Sequence, residues 1–241
     1  MMSRPVFVGG QRAVALVAVG AVILQATAGV AFALVHRFDM AHTTDLTSLA
    51  ARGPGTAGFF RAALLVDMLG YLAVAPVVLH LHRRLKAAVT GPDGLALLLR
   101  VATFAGVAFS LVGAIGAALI ASVGPPLIDT AIGGGPSAGP ARVVFEAISN
   151  GVYVGLWGPL NWLVLGIWVG AVGWLTRREG RPFAALGILV GAGALAYAVR
   201  VGLSGRSPTE TGETIDLVVT SALGLFIAWE LWLAVRFWIG R

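Results

Sequence analysis

Residues 163–199 read LVLGIWVGAVGWL, then TRREGRP, then FAALGILVGAGALAYAV. An apolar run leads through a short turn with three arginines into a second apolar run, and this pattern decides the fold. Runs of roughly 20 apolar residues are what a hydrocarbon core of about 30 Å requires of a helix, and basic turns between them mark a cytoplasmic face. Working outward, five further apolar stretches complete a series of six spans at about 13–35, 62–81, 97–123, 143–175, 183–203 and 217–235. The expectation is an all-α, polytopic transmembrane bundle forming a single domain over residues 1–241.

Composition supports this. The chain is 58% hydrophobic and 12% charged, with a mean hydropathy of +0.88, whereas a soluble domain carries about 25% charged residues. Lipid must therefore cover much of the surface. There is no cysteine, which excludes disulfides, thiolate metal sites and thiol nucleophiles. The net charge of +6 does not indicate nucleic acid, because the basic residues sit beside apolar runs. Richness in Ala, Gly, Val and Arg is that of a high-GC bacterial proteome, so the expected location is the bacterial cytoplasmic membrane.

With the N-terminus inside, the cytoplasmic side holds Arg4, Arg12, Arg83, Arg84, Lys86, Arg100, Arg177, Arg178, Arg181, Arg236 and Arg241, eleven of seventeen Lys and Arg. The outer side holds Arg37, Arg52, Arg61, Arg142, Arg200 and Arg206. Both ends are thus expected in the cytoplasm, with Trp174, Trp229, Trp232 and Trp238 near the inner boundary, where indole rings favour the headgroup level. Pro125-Pro126 through Gly133-Gly134-Gly135-Pro136 is expected to break the helix after the third span. The fourth run, about 50 Å as one helix, is expected to kink or break at Gly158-Pro159.

Gly151/Gly155, Gly166/Gly170 and Gly187/Gly191 are G-x-x-x-G pairs, which let helix backbones approach closely in a bilayer. They are read as close packing of the fourth and fifth spans, with a homodimer face as the alternative.

An ionisable side chain at membrane depth costs roughly 2.5–3.5 kcal/mol on insertion scales, so such positions point to function. Asp67 and Tyr71 are four apart in the second span. Glu146, Asn150, Tyr153, Trp157 and Asn161 recur at helical spacing and form one expected polar-aromatic stripe. Tyr197 and Arg200 lie near the outer end of the fifth span, and Asp216 and Thr220 at that of the sixth. Arg61, Arg142 and Arg200 are candidate counter-charges for Asp67, Glu146 and Asp216. The ligand-binding set is therefore Asp67, Tyr71, Glu146, Asn150, Tyr153, Asn161, Tyr197 and Arg200, lining an outward-facing polar cavity. Glu230 is expected to reach the inner interface or to pair with Arg83, Arg84 or Arg100.

Two histidine groups were weighed for metal. His36, Asp39, His42 and Asp45 recur every three residues and drift around a helix, so a solvated loop is the better reading. His80 and His82, two apart, point to different sides. No metal or cofactor is expected, and no phosphate loop or hydrolase motif is present.

The segment Leu165-Gly166-Ile167-Trp168-Val169-Gly170, followed by Arg177-Arg178 and by Arg181-Pro182-Phe183-Ala184-Ala185-Leu186-Gly187-Ile188-Leu189, resembles a bacterial family of small six-span membrane proteins catalogued as a domain of unknown function. Leu69-Gly70-Tyr71-Leu72 leading to His82-Arg83-Arg84-Leu85 is similar to the same pattern. The resemblance covers about half the chain, implies the six-span topology and carries no catalytic residues. Three functions fit the sequence. The first is binding or transport of a small or amphipathic molecule. The second is an accessory role beside another membrane protein, and the third is carboxylate acid–base chemistry on a lipid-phase substrate. The lipid bilayer is the expected environment in each.

Overall fold

A computed structural model describes residues 8–36, 44–88, 93–204 and 213–239. Their order is α1 (Val8–Val35), α2 (Leu46–Ala50), α3 (Thr56–Ala88), α4 (Asp93–Gly133), α5 (Ala138–Asn150), a π-helical segment (Gly151–Leu160), α6 (Asn161–Leu175), α7 (Arg181–Ser204) and α8 (Glu213–Trp238). No strand occurs among the described residues. Five stretches are long and apolar enough to cross a membrane: Gly10–Val35, Thr56–Ala87, Gly94–Gly133, Ala138–Leu175 and Arg181–Leu203. α8 adds a helix of 26 residues. The long helices extend past the apolar runs expected from the sequence, as Thr56–Ala88 does around 62–81 and Asp93–Gly133 around 97–123.

Two expectations about helix ends need correction. Pro125-Pro126 does not end the third long helix. Both prolines lie inside α4, which runs on to Gly133 and stops where Gly134 and Gly135 take φ of 69° and 80°, the left-handed conformation that terminates helices. Tertiary packing outweighs the lost hydrogen bonds here: Ile128, beyond the prolines, is fully buried with Leu46, Leu49, Ala141 and Phe145 of α2 and α5. Of the kink or break expected in the fourth run, the break does not occur. The middle of the run widens into π-helix over Gly151–Leu160, with Pro159 inside. Proline cannot donate, and its ring clashes with the carbonyl four residues back. An i→i+5 pattern makes room for the ring, and the Asn161 N–H donates to Leu156 O in that register.

The bundle has two apolar cores. One gathers Leu81, Leu85, Leu99, Phe109, Trp168, Phe183, Phe226, Trp229 and Phe237. The other gathers Phe32, Leu46, Leu49, Phe60, Leu64, Ile120, Ile128 and Phe145. Around the first core, α6 and α7 meet backbone to backbone. A β-carbon at Gly191 would lie 2.6 Å from Gly170 Cα, and one at Gly166 would lie 2.9 Å from Gly191 O. Gly187 would likewise meet Gly173 Cα at 3.1 Å. The Gly166/Gly170 and Gly187/Gly191 pairs therefore pack as expected. Gly151/Gly155 does not, since neither glycine has a neighbour within 4 Å of a β-carbon position.

The same end of the bundle gathers the basic turns. Glu179, in the turn between α6 and α7, accepts from Arg84 of α3 at 2.9 Å and from Arg236 of α8 at 2.8 Å, both on Oε2. Arg84 lies over Phe237, Arg236 over Phe183 and Arg12 of α1 over Trp238. The start of α1 and the ends of α3, α6 and α8 therefore share one end. Trp174, Trp232 and Trp238 are exposed there. Trp229 is not at a boundary but fully buried, stacked on Phe183 at 5.5 Å. Glu230 does not reach an interface or an arginine either. It is 3% exposed and its Oε2 has no hydrogen-bond partner, because Arg84 is committed to Glu179.

Replacing Gly191 by Leu is expected to cost about 1–3 kcal/mol by overpacking and to lower the midpoint of thermal unfolding in detergent. Gly151→Ala, which meets open space, is expected to leave that midpoint unchanged or raise it slightly. Scanning fluorimetry on the two variants checks both outcomes.

Candidate functional site

The two cores meet at a polar seam. Tyr71 packs against the first core, while Tyr153 and Trp157 pack against the second. α3 supplies Asp67 and Tyr71 one turn apart. α4 supplies space. Gly113 sits so close to the Tyr71 ring, and Gly116 so close to the Trp157 indole, that neither position admits a β-carbon. Ser110 donates to the Tyr71 carbonyl at 2.5 Å, and Trp157 Nε1 donates to the Gly113 carbonyl at 3.2 Å. Asn161, the first residue after the π segment, donates from Nδ2 to Tyr71 Oη at 3.3 Å. Tyr153 and Trp157 pack edge to face at 5.2 Å. Asp67 is half-buried and acts electrostatically on both Tyr71 and Tyr153.

Three side-chain atoms around this seam are buried without a hydrogen-bond partner: Gln25 Nε2, Tyr153 Oη and Asn161 Oδ1. Gln25 of α1 lies on Gly70, its Cγ 3.0 Å from the glycine's β-carbon position. A buried polar group left unpaired costs about 1–3 kcal/mol, so three in one region form a notable concentration.

The structure brings together Asp67, Tyr71, Tyr153 and Asn161 from the expected set. It does not bring in Glu146 or Asn150. Glu146 accepts from Arg142 at 2.7 Å on an exposed face of α5, and Asn150 is exposed. The stripe assumed α-helical spacing throughout, but the π segment changes the number of residues per turn and rotates its two halves apart. Phe145 and Ser149 occupy the buried face instead. Tyr197 is buried against Trp162 at 4.8 Å, in a small apolar cluster with Val201. Arg200 and Arg61 are exposed. The Asp216 and Thr220 side chains lie outside the described residues, as do Asp39 and His42.

Gln25, Ser110, Gly113 and Gly116 escaped the sequence reading. A lone glutamine in a span carries little weight by itself. Small residues three apart at 110, 113 and 116 were a usable signal of a face that receives large rings.

The other weighed residues have structural roles. His36 is fully buried against Phe32 and Phe60, not solvated. Asp45 caps α2 by accepting from Thr47 N at 2.9 Å. Thr103 gives its hydroxyl proton to Leu99 O at 2.8 Å, so at 2.7 Å it accepts from His82 Nδ1–H. His80 packs edge to face on Phe237 at 5.0 Å. Among the described residues no three His, Cys, Asp or Glu side chains are grouped to hold a metal ion.

No protein-family model matches the chain, and the searches of curated proteins and of solved structures return no match either.

A methyl group at Gly113 has no room beside the Tyr71 ring. Gly113→Ala is expected to cost about 1–3 kcal/mol and to shift tryptophan emission as Trp157 loses its carbonyl acceptor. In a double-mutant cycle with Tyr71→Ala the two changes should couple by roughly 1 kcal/mol or more. Strict additivity would show that ring and glycine do not meet.

Proposed function

We propose that this chain is a six-span protein of the bacterial cytoplasmic membrane, with both ends and the basic turns on the cytoplasmic side, that binds or transports a small or amphipathic molecule at the polar seam. Six long helical stretches, counting α5 to α6 as one, support the span count. The gathering of Arg12, Arg84, Arg177 and Arg236 with exposed tryptophans at one end supports the orientation. Membership of the six-span family that the basic-turn segments resemble belongs to the same reading.

One observation carries the binding function. Gln25 Nε2, Tyr153 Oη and Asn161 Oδ1 are buried and unpaired around a carboxylate that no described cation pairs with. A protein that uses these groups only for packing gains nothing from leaving them unsatisfied. A ligand supplying the missing donors and acceptors would remove that cost on binding. The π segment beside them is a feature frequent at functional sites.

A second reading, an accessory subunit or homodimer, has one observation in its favour. Gly151 and Gly155 form a small-residue pair facing open space, the kind of surface on which another helix packs in a bilayer. Two converging carboxylates would favour acid–base chemistry. Glu146, bound to Arg142 on the exposed face of α5, does not supply the second.

Native mass spectrometry of the protein released gently from its membrane tests the binding function. Wild type is expected to carry a discrete adduct that Asp67→Asn loses. A clean monomer in both samples would count against binding and direct attention to partners. For topology, the absence of cysteine makes single-cysteine reporters clean. In intact cells Gly135→Cys should react with an impermeant maleimide, and Arg178→Cys only after the membrane is opened. The reverse pattern would invert the orientation.

A further inference from the structure

The chemistry of the seam narrows the ligand class, an inference that rests on the binding function above. Two other acids of the described bundle are neutralised by arginine. Glu146 is held by Arg142, and Glu179 by both Arg84 and Arg236. Asp67, like the core-buried Glu230, is not. It lies at membrane depth in α3, half-buried, and no described Arg, Lys or His forms an ion pair with it. Tyr71 lies one turn on from it in α3, and Tyr153 of the π segment is within its electrostatic reach. Trp157 extends that aromatic wall by its contact with Tyr153. Aromatic rings present negative electrostatic potential on their faces and attract cations. The free oxygen of Asn161 and the hydroxyl oxygen of Tyr153 add two acceptors. The free nitrogen donor nearby, Gln25 Nε2, is neutral. The sum is one carboxyl group, π-electron density and unfilled acceptors, with no fixed positive charge among the described residues.

We propose that the seam binds a lipophilic organic monocation, with Asp67 as its counter-ion and Tyr71, Tyr153 and Trp157 as its aromatic walls. An uncompensated carboxylate at this depth is costly, and a single positive charge on an apolar body offsets it while matching the rings around it. An anion of the same shape would meet Asp67 with like charge and leave the acceptors unfilled. A dication would bring a second charge that the seam does not balance.

The test compares two probes of nearly identical shape and opposite charge, tetraphenylphosphonium and tetraphenylborate, by equilibrium binding to the purified full chain in detergent. Saturable binding of the phosphonium and none of the borate is expected. Asp67→Asn should weaken phosphonium binding tenfold or more, Asp67→Glu should retain most of it, and Tyr153→Leu should weaken it about threefold or more. Thermal unfolding of each variant reports whether it is folded. Equal binding of both probes, or phosphonium binding indifferent to folded Asp67→Asn, would overturn the assignment. If the Asp67-dependent native adduct is present but phosphonium neither binds nor displaces it, the cation class is wrong while the binding function stands. If adduct and probe binding are both missing, both fall.

Discussion

Between α6 and α7 there is no room for a β-carbon at Gly166, Gly173 or Gly191, and much of the bundle is arranged around that contact. Inside a bilayer, lipid tails are as apolar as leucine, so helices gain little from hiding hydrophobic surface from one another and must gain it from close packing. Bare backbone on both partners gives the closest approach. With α6 and α7 so held, Glu179 in their turn faces outward to Arg84 and Arg236. α3 and α8 are thereby tied to the hairpin at one end. Trp229 fits over Gly187, where its indole nitrogen comes within 2.9 Å of the β-carbon position. Trp168, Phe183 and Phe226 pack around Trp229. The arginine clasp and the aromatic core both lie against the helix pair that these glycines bring together.

A second constraint comes from Pro159. A proline within a long apolar helix forces a choice between a kink and a change of helical register. Here the backbone widens, and the seam lies beside the widened segment. Gly158 makes this feasible, since a β-carbon there would crowd the Tyr153 carbonyl at 3.0 Å and Val201 at 3.1 Å. The widening moves Glu146 and Asn150 away from Tyr153 and Asn161. It thereby separates an ordinary surface ion pair from a group of buried polar atoms that lack partners.

Polar satisfaction is uneven across the protein. Ser110, Thr103, Thr130 and Thr176 return their hydroxyl protons to backbone carbonyls, as hydroxyls in apolar helices do. Other buried polar atoms have no such acceptor or donor, among them Gln25 Nε2, Tyr153 Oη and Asn161 Oδ1 at the seam, His80 Nε2, Trp229 Nε1 and Glu230 Oε2. Glu230 shows how packing can override an obvious electrostatic guess: arginines stand at the same end of the bundle, yet Glu179 holds them and the core closes over the glutamate.

The sequence by itself determined the helical class, the apolar stretches, the basic turns and two of the three glycine pairs. These are properties of local composition, and a bilayer reads composition directly through length, charge and residue size. It also identified Asp67, Tyr71, Tyr153 and Asn161, because polar groups in apolar runs stand out whatever surrounds them. Tertiary structure alone decided that α4 passes through Pro125-Pro126, that Trp229 and Glu230 are core residues, and that Glu146 and Asn150 leave the group while Gln25, Ser110, Gly113 and Gly116 join it. Each of these turns on which helix lies opposite and on the register of a backbone that departs from α-helix at Gly151–Leu160. Periodicity assumes one fixed number of residues per turn, and in this chain that assumption fails beside the seam.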